Sequence, residues 1–229
     1  MMLGLGPGDH LPILTGPMTG MRWIAKSHVH TCVLGTYEPE TQKTLVEFVR
    51  PASTVWDVGA CCGYLTMLAA ALTGPTGRVV AIEPNPVAVD YLRRHTELNQ
   101  LENVTVVNQA VSDRAGTMQF ETRDYIGFCR LSADGDLTAQ TITLDELLHE
   151  YPGPDVLKID VEGAECAVLV GARRLLATRP VLLLSTHGRD NFEQCRAVLA
   201  GSGYRFVEHE LKVGRRFDHL AEVLAVPSS

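Results

Sequence analysis

Lys158, Asp160 and Glu162 in "KIDVEG" share one parity along an apolar stretch, and His187 closes "PVLLLSTH". On strands, such parity puts side chains on one face. Both segments read as buried strands, so these groups collect at adjacent strand ends. Carboxylates and an imidazole gathered there can orient a substrate hydroxyl and take up its proton. His187 is the first candidate for general base, because its unperturbed pKa lies near neutrality. Asp160 would orient the base or a cofactor. Glu162 would face substrate or cap the following helix, and Lys158 would form an ion pair inside the sheet edge. Asp160, Glu162 and His187 also have the chemistry to hold Mg2+ together with substrate oxygens, but no metal set is assigned.

A second constellation lies in "TVWDVGACCGYLTMLAAAL", residues 54–72. An apolar run ends at Asp57, a glycine loop follows, and a helical stretch begins. Gly59 and Gly63 are spaced G-x-x-x-G, which is neither the dinucleotide fingerprint nor a Walker loop, so the loop makes a poor phosphate cradle. The next strand ends in Glu83, 24 residues after Gly59. A carboxylate there suits a ribose diol, since it accepts two hydroxyl hydrogen bonds. A cofactor with a ribose, a positive charge and no phosphate is S-adenosylmethionine. The expected contacts are Asp57, Gly59, Ala60, Gly63, Glu83, Pro84, Asn85 and Asp160, with Gln109 and Ala110 near the adenine. Tyr37, with Glu38, would close over the site from the N-terminal side. Cys61 and Cys62 read as small, soft lining of a tight turn, with a reactive thiolate at the helix N-terminus as the alternative.

These groups need a sheet to position them. Strands are expected at 54–58, 78–83, 103–111, 155–161, 180–187, 204–210 and 221–226. Helices are expected at 63–73, 85–100, 144–151, 164–178 and 190–201. Alternation of this kind implies a mostly parallel α/β sheet of seven strands with helices on both faces, closed by an antiparallel C-terminal strand. The stretch 112–143 reads as an insertion with short strands near 117–121 and 138–142. It would wall the substrate site with Tyr125, Phe128 and Arg130. Residues 1–45 look irregular and form a possible lid, although "SHVHTCVLGTYE" (27–38) alternates like a strand carrying His28 and His30 on one face.

The segments "VWDVGACCGYLTMLAA", "VVAIEPNP", "NQAVSDRAGTMQF", "TLDELL" and "DVLKIDVEGAECAVLVGARRLL" occur in this order. Together they resemble the FkbM family of S-adenosylmethionine-dependent methyltransferases, and "LGTYEPET" (34–41) resembles the stretch before that family's core. The resemblance implies a single Rossmann-like class I methyltransferase domain and O-methylation of a hydroxyl on a small molecule or sugar. The family's usual loop is D-V-G-A-N-x-G, and Cys61 and Cys62 replace the Asn and its neighbour.

Composition narrows the alternatives. The chain has 229 residues, 45% hydrophobic, with a net charge of −7, which disfavours a nucleic-acid partner. No run approaches the roughly 20 apolar residues of a membrane span, and the N-terminus lacks the positive region of a signal peptide. Six cysteines without a CxxC pair or zinc spacing suit reduced thiols in a cytoplasmic protein. A homo-oligomer is equally compatible with the sequence. The rival readings are an N-methyltransferase, a cofactor-binding module without catalysis, and an NAD-dependent dehydrogenase, which would need a different glycine pattern.

Overall fold

A computed structural model describes residues 6, 8–122, 126, 129–207 and 220–228. Tyr125, Phe128, residues 208–210 and the basic segment 211–219 lie outside them.

The chain opens with an antiparallel hairpin, β1 (His10–Pro12) and β2 (Arg22–Ile24), followed by α1 (His30–Leu34) and α2 (Pro39–Phe48). The strand expected over 27–38 does not form. Cys32 and Val33 are adjacent and both buried, which a helix achieves against a curved surface and a strand's alternating faces do not. Gly35, at φ 86°, ends α1, and its N–H bonds to the Thr31 and Cys32 carbonyls. A Cβ there would lie 2.0 Å from the Thr15 carbonyl oxygen.

The core alternates as expected: β3 (Thr54–Val58), α3 (Tyr64–Thr73), β4 (Arg78–Ile82), α4 (Pro86–Leu98) and β5 (Val104–Val107). The expected strand over 103–111 is two strands. The Asn108 side chain donates to the Glu83 and Pro84 carbonyls, and the chain then leaves the main sheet. β6 (Ala110–Val111) joins β7 (Gly116–Thr122), β8 (Cys129–Leu131) and β9 (Leu137–Ile142) in a second sheet of order β6-β9-β7-β8. The insertion therefore supplies three strands of a four-stranded sheet, with β8 beyond the two strands expected.

α5 (Leu144–Leu147) starts in a capping box between Thr143 and Glu146. It is followed by β10 (Val156–Ile159), α6 (Glu165–Val170), α7 (Arg173–Ala177), β11 (Val181–His187), α8 (Arg189–Gly201), β12 (Tyr204–Val207) and β13 (Leu220–Pro227). The single helix expected over 164–178 is broken at Gly171. A Cβ there would lie 2.4 Å from the Ser112 carbonyl oxygen, and the Gly171 carbonyl accepts from the Asp145 N–H. The chain bends there, and the buried faces of both helices pack into the core of the main sheet.

The main sheet has the order β12-β13-β11-β10-β3-β4-β5. It is parallel except for β13, which runs antiparallel to both neighbours. This is the mostly parallel, seven-stranded α/β sheet expected of a Rossmann-like class I methyltransferase. Lys158 lies on β10, between β3 and β11. It is thus in the middle of the sheet and not at its edge.

The N-terminal hairpin is anchored on α4. Trp23 stacks on His95, with ring centroids 3.8 Å apart. The Ile24 N–H donates to His95 Nε2 at 3.0 Å, so Nε2 is the acceptor nitrogen. His95 Nδ1 then carries the proton and donates to the Cys62 carbonyl at 2.8 Å. Burial holds His95 neutral, pushed down to about 4. One imidazole thus ties the N-terminal segment to the glycine loop. Among the described residues, no helix is long and apolar enough to cross a membrane.

Candidate active site

The carboxyl ends of the central strands open into a cavity of about 220 Å³. Its walls include Gly59–Cys62, Glu83, Asp160, Glu162 and His187, with Tyr37 and Glu38 from the N-terminal side. Phe120, Ile126 and Cys129 of the insertion complete it. Of the residues singled out from sequence, Ala60, Pro84, Gln109, Ala110 and Lys158 also reach this wall. Asp57, Gly63 and Asn85 stand behind it. His28 lines the cavity, whereas His30 is exposed, so the two histidines do not share a face. Arg130 is exposed on β8.

The two glycines serve the protein's own packing. Gly59 has φ 78°, and a Cβ there would lie 1.7 Å from the Asp160 carbonyl oxygen. Gly63 has φ 87°, and its Cβ would lie 2.8 Å from Leu92 Cγ. Only glycine lets this loop press against both β10 and α4. Between them, Cys61 adopts φ 48°, and its N–H donates to Glu83 Oε2 at 2.9 Å. Glu83 Oε1 accepts from the Asn85 N–H at 2.9 Å. Each oxygen keeps a lone pair for a ligand hydroxyl. Burial pushes Glu83 up to about 7, against the pull of the Asn85 and Cys61 N–H groups. Asn85 meanwhile caps α4, accepting from the Val87 N–H.

The cysteines line and brace the loop. Cys62 Sγ donates to the Ser27 carbonyl at 3.2 Å. A hydrogen bond with Cys62 and burial raise the Cys61 thiol well above its usual range. Neither feature favours a thiolate.

Asp57 is buried and does not face the cavity. Its Oδ2 accepts from the Thr66 hydroxyl at 2.6 Å, and its Oδ1 pairs with Lys158 Nζ at 3.0 Å. Lys158 also donates to the Gly59 carbonyl at 3.0 Å and lies 3.9 Å from Asp160 Oδ2. Burial works against its charge, but Asp57 and Asp160 outweigh burial and hold the ammonium charged. Lys158 is thus the buried counter-ion that fixes β3, β10 and the loop together.

His187 is organised by a residue the sequence reading left without a role. Glu165, fully buried, accepts from the Val161 and Gly163 N–H groups and from Asn191, and its Oε1 lies 2.8 Å from His187 Nδ1. Neither acid caps α6, which has no side-chain N-cap bond; its Cys166 N–H donates to Asn191 Oδ1. Glu162 instead takes φ 55°, and its Oε2 lies 3.5 Å from His187 Nε2. Asp160 Oδ1 lies 3.8 Å from the same nitrogen. Burial disfavours the imidazolium, but Glu165, Asp160 and Glu162 outweigh it and push His187 up to about 9. The near-neutral value expected for His187 does not hold in this setting. The donor atoms of Asp160, Glu162 and His187 lie within 4.8 Å of one another, close enough to share a cation. In the free protein, the charged imidazolium itself balances the carboxylates.

Residues 57–209 match the model of the methyltransferase FkbM domain. The chain belongs to the FkbM methyltransferase family. A relative in Haloferax volcanii, hexuronic acid methyltransferase AglP, is 30% identical over 66% of this chain and 62% of its own length. The chain thus spans less than two thirds of that relative. Among solved structures, methyltransferase FkbM from Methylobacillus flagellatus superposes with a TM-score of 0.54 at 21% identity, over 83% of this chain and 51% of that one. TYW2 of M. jannaschii, solved in complex with AdoMet, gives 0.56 at 18% identity, over 96% and 86%. These two share the fold.

The residues present fit S-adenosylmethionine, the donor expected from the sequence. Glu83 offers acceptors for a diol. The excess of carboxylates over Lys158 and His187 suits a cationic ligand and repels a pyrophosphate. That donor would supply a methyl group already activated by its sulfonium. The protein's part would be to align the acceptor with that methyl group.

Proposed function

We propose that this FkbM protein methylates an oxygen, with a hydroxyl of a sugar or other small molecule as acceptor. The observation that carries this reading is the imidazole pair at the end of the cavity away from Glu83. His187 Nδ1 is locked on buried Glu165, and Nε2 points into the space shared with Asp160 and Glu162. A hydroxyl must lose a proton as it attacks, and this arrangement holds one ring nitrogen in place so that the other can receive it. The insertion adds Phe120 and Ile126, which give an apolar wall against which a sugar face can pack. The relation to AglP supports a sugar acceptor. In this reading Glu83 holds the ribose, Gly59–Cys62 carry the donor, Tyr37 closes over it, and Gln109 and Ala110 flank the adenine. Asp160 and Glu162 hold the acceptor oxygen near His187.

The test is transfer of a 13C-labelled methyl group from S-adenosylmethionine to hexuronic acids, neutral hexosides and simple alcohols. The expected product carries the label as an O-methyl group of a sugar, located by NMR. Transfer confined to amines would overturn the assignment in favour of an N-methyltransferase.

A further inference from the structure

Glu38 is placed oddly for a structural residue. It is the N-cap of α2 but makes no side-chain cap hydrogen bond. Its backbone takes φ 43° and ψ 64°, a left-handed conformation uncommon for any residue but glycine. This geometry turns its carboxylate into the cavity. The Tyr37 hydroxyl bonds to that carboxylate, yet Oε2 is buried with no hydrogen-bond partner. A buried carboxylate oxygen left unpaired is costly unless a ligand completes it.

The neighbouring cation does not supply the missing partner. Lys158 is committed to Asp57 and the Gly59 carbonyl. Asp160 adds its own negative charge, and burial together with Asp160 pushes Glu38 up from its ordinary value. Glu38 therefore faces the cavity with a carboxyl oxygen that no protein group completes.

The loop fixes the direction in which a donor would lie. Cys61 abuts Glu83, the ribose end, while Gly59 presses on Asp160. A donor held by its ribose at Glu83 extends its amino-acid tail past Gly59 toward Asp160 and Glu38. That tail ends in a carboxylate and an α-ammonium, and only the ammonium suits an unpaired carboxylate. We propose that Glu38 receives the α-ammonium group of the methyl donor, an assignment that rests on the donor-site reading above. The strained backbone at Glu38 is retained because it aims the carboxylate at this charge.

The experiment is calorimetric titration of wild type and Glu38→Gln with three probes. They are S-adenosylhomocysteine, its desamino analogue, and 5′-methylthioadenosine, which lacks the amino-acid tail. Glu38→Gln should weaken S-adenosylhomocysteine on the order of 30-fold and leave 5′-methylthioadenosine within twofold. Retained binding of the latter also shows that the variant is folded. On wild type, the desamino analogue should bind about as weakly as S-adenosylhomocysteine binds the variant, and the variant should not distinguish the two. Equal loss for S-adenosylhomocysteine and 5′-methylthioadenosine, or no loss for either, would overturn the role of Glu38. So would a wild type indifferent to the amino group. A folded wild type that binds none of the probes would instead overturn the donor site itself, and this assignment with it.

Discussion

His187→Gln should lower turnover by roughly 10²–10⁴-fold while leaving donor affinity within a few-fold. The variant keeps a polar group beside Glu165 and loses the nitrogen proposed to accept the proton. The pH profile separates this role from simple positioning. In the free protein His187 is raised to about 9, so below that pH the basic form is the minor one. For wild type, kcat/KM should therefore rise about tenfold per pH unit toward that value. A bound cationic donor opposes the carboxylates that hold His187 charged, so kcat should level off at lower pH than kcat/KM. His187→Gln should lose the limb belonging to this group. A slow variant that keeps the wild-type profile would move the base to Asp160 or Glu162. The same shift carries a stability signature. The folded value lies above the ordinary 6.5, so the contribution of the His187–Glu165 pair is full below that pH and is lost as pH rises through about 9.

Lys158→Met should cost about 3–5 kcal/mol of stability. The change leaves the Asp57 carboxyl, 2% exposed, without its counter-ion, and it removes the donor to the Gly59 carbonyl. For a chain of this size the midpoint of thermal unfolding should fall by roughly 10 °C. Most of that loss is the penalty of the abandoned carboxylate. The double variant Asp57→Asn with Lys158→Met should therefore recover a large part of it, since the neutral amide introduced on β3 would still accept from the Thr66 hydroxyl. A single variant as stable as wild type would mean that the Asp57–Lys158 pair does not hold this part of the fold. A double variant no better than the single would place the cost in packing.

The parts of the fold set by local pattern could be read from the residues. Apolar runs ending at Asp57, Glu83 and His187 marked three strand ends, and the intervening apolar periodicity marked the helices. The errors came where a distant contact overrides the local pattern. Residues 27–38 alternate like a strand but turn at Gly35 because the Thr15 carbonyl leaves no room for a Cβ. The periodicity of 164–178 continues through Gly171, and only its contact with Ser112 breaks the helix. Val104–Val111 is apolar enough for one strand, but the side chain of Asn108 diverts it.

The candidate site divides in the same way. Lys158, Asp160, Glu162 and His187 fall together because strand parity and adjacent strand ends are local properties of sequence. Which acid orients His187 is not such a property. The bond from Glu165 depends on the turn at Glu162 and Gly163, which faces Glu165 inward and points Glu162 at the cavity. The unpaired oxygen of Glu38 likewise depends on the left-handed backbone before α2 and on the cavity wall it joins. Asp57 drew notice as a carboxylate near the loop, but its parity on β3 takes it behind the loop, toward Thr66 and Lys158.

Titration of the protein with S-adenosylmethionine by calorimetry, on wild type and Glu83→Ala, tests the central claim most directly. Micromolar binding to wild type is expected, weakened roughly hundredfold or more in the variant, because two hydroxyls would lose a charged acceptor. A folded wild type that does not bind, or a Glu83→Ala variant that binds as well as wild type, would contradict a donor seated on the Gly59–Cys62 loop with its ribose on Glu83.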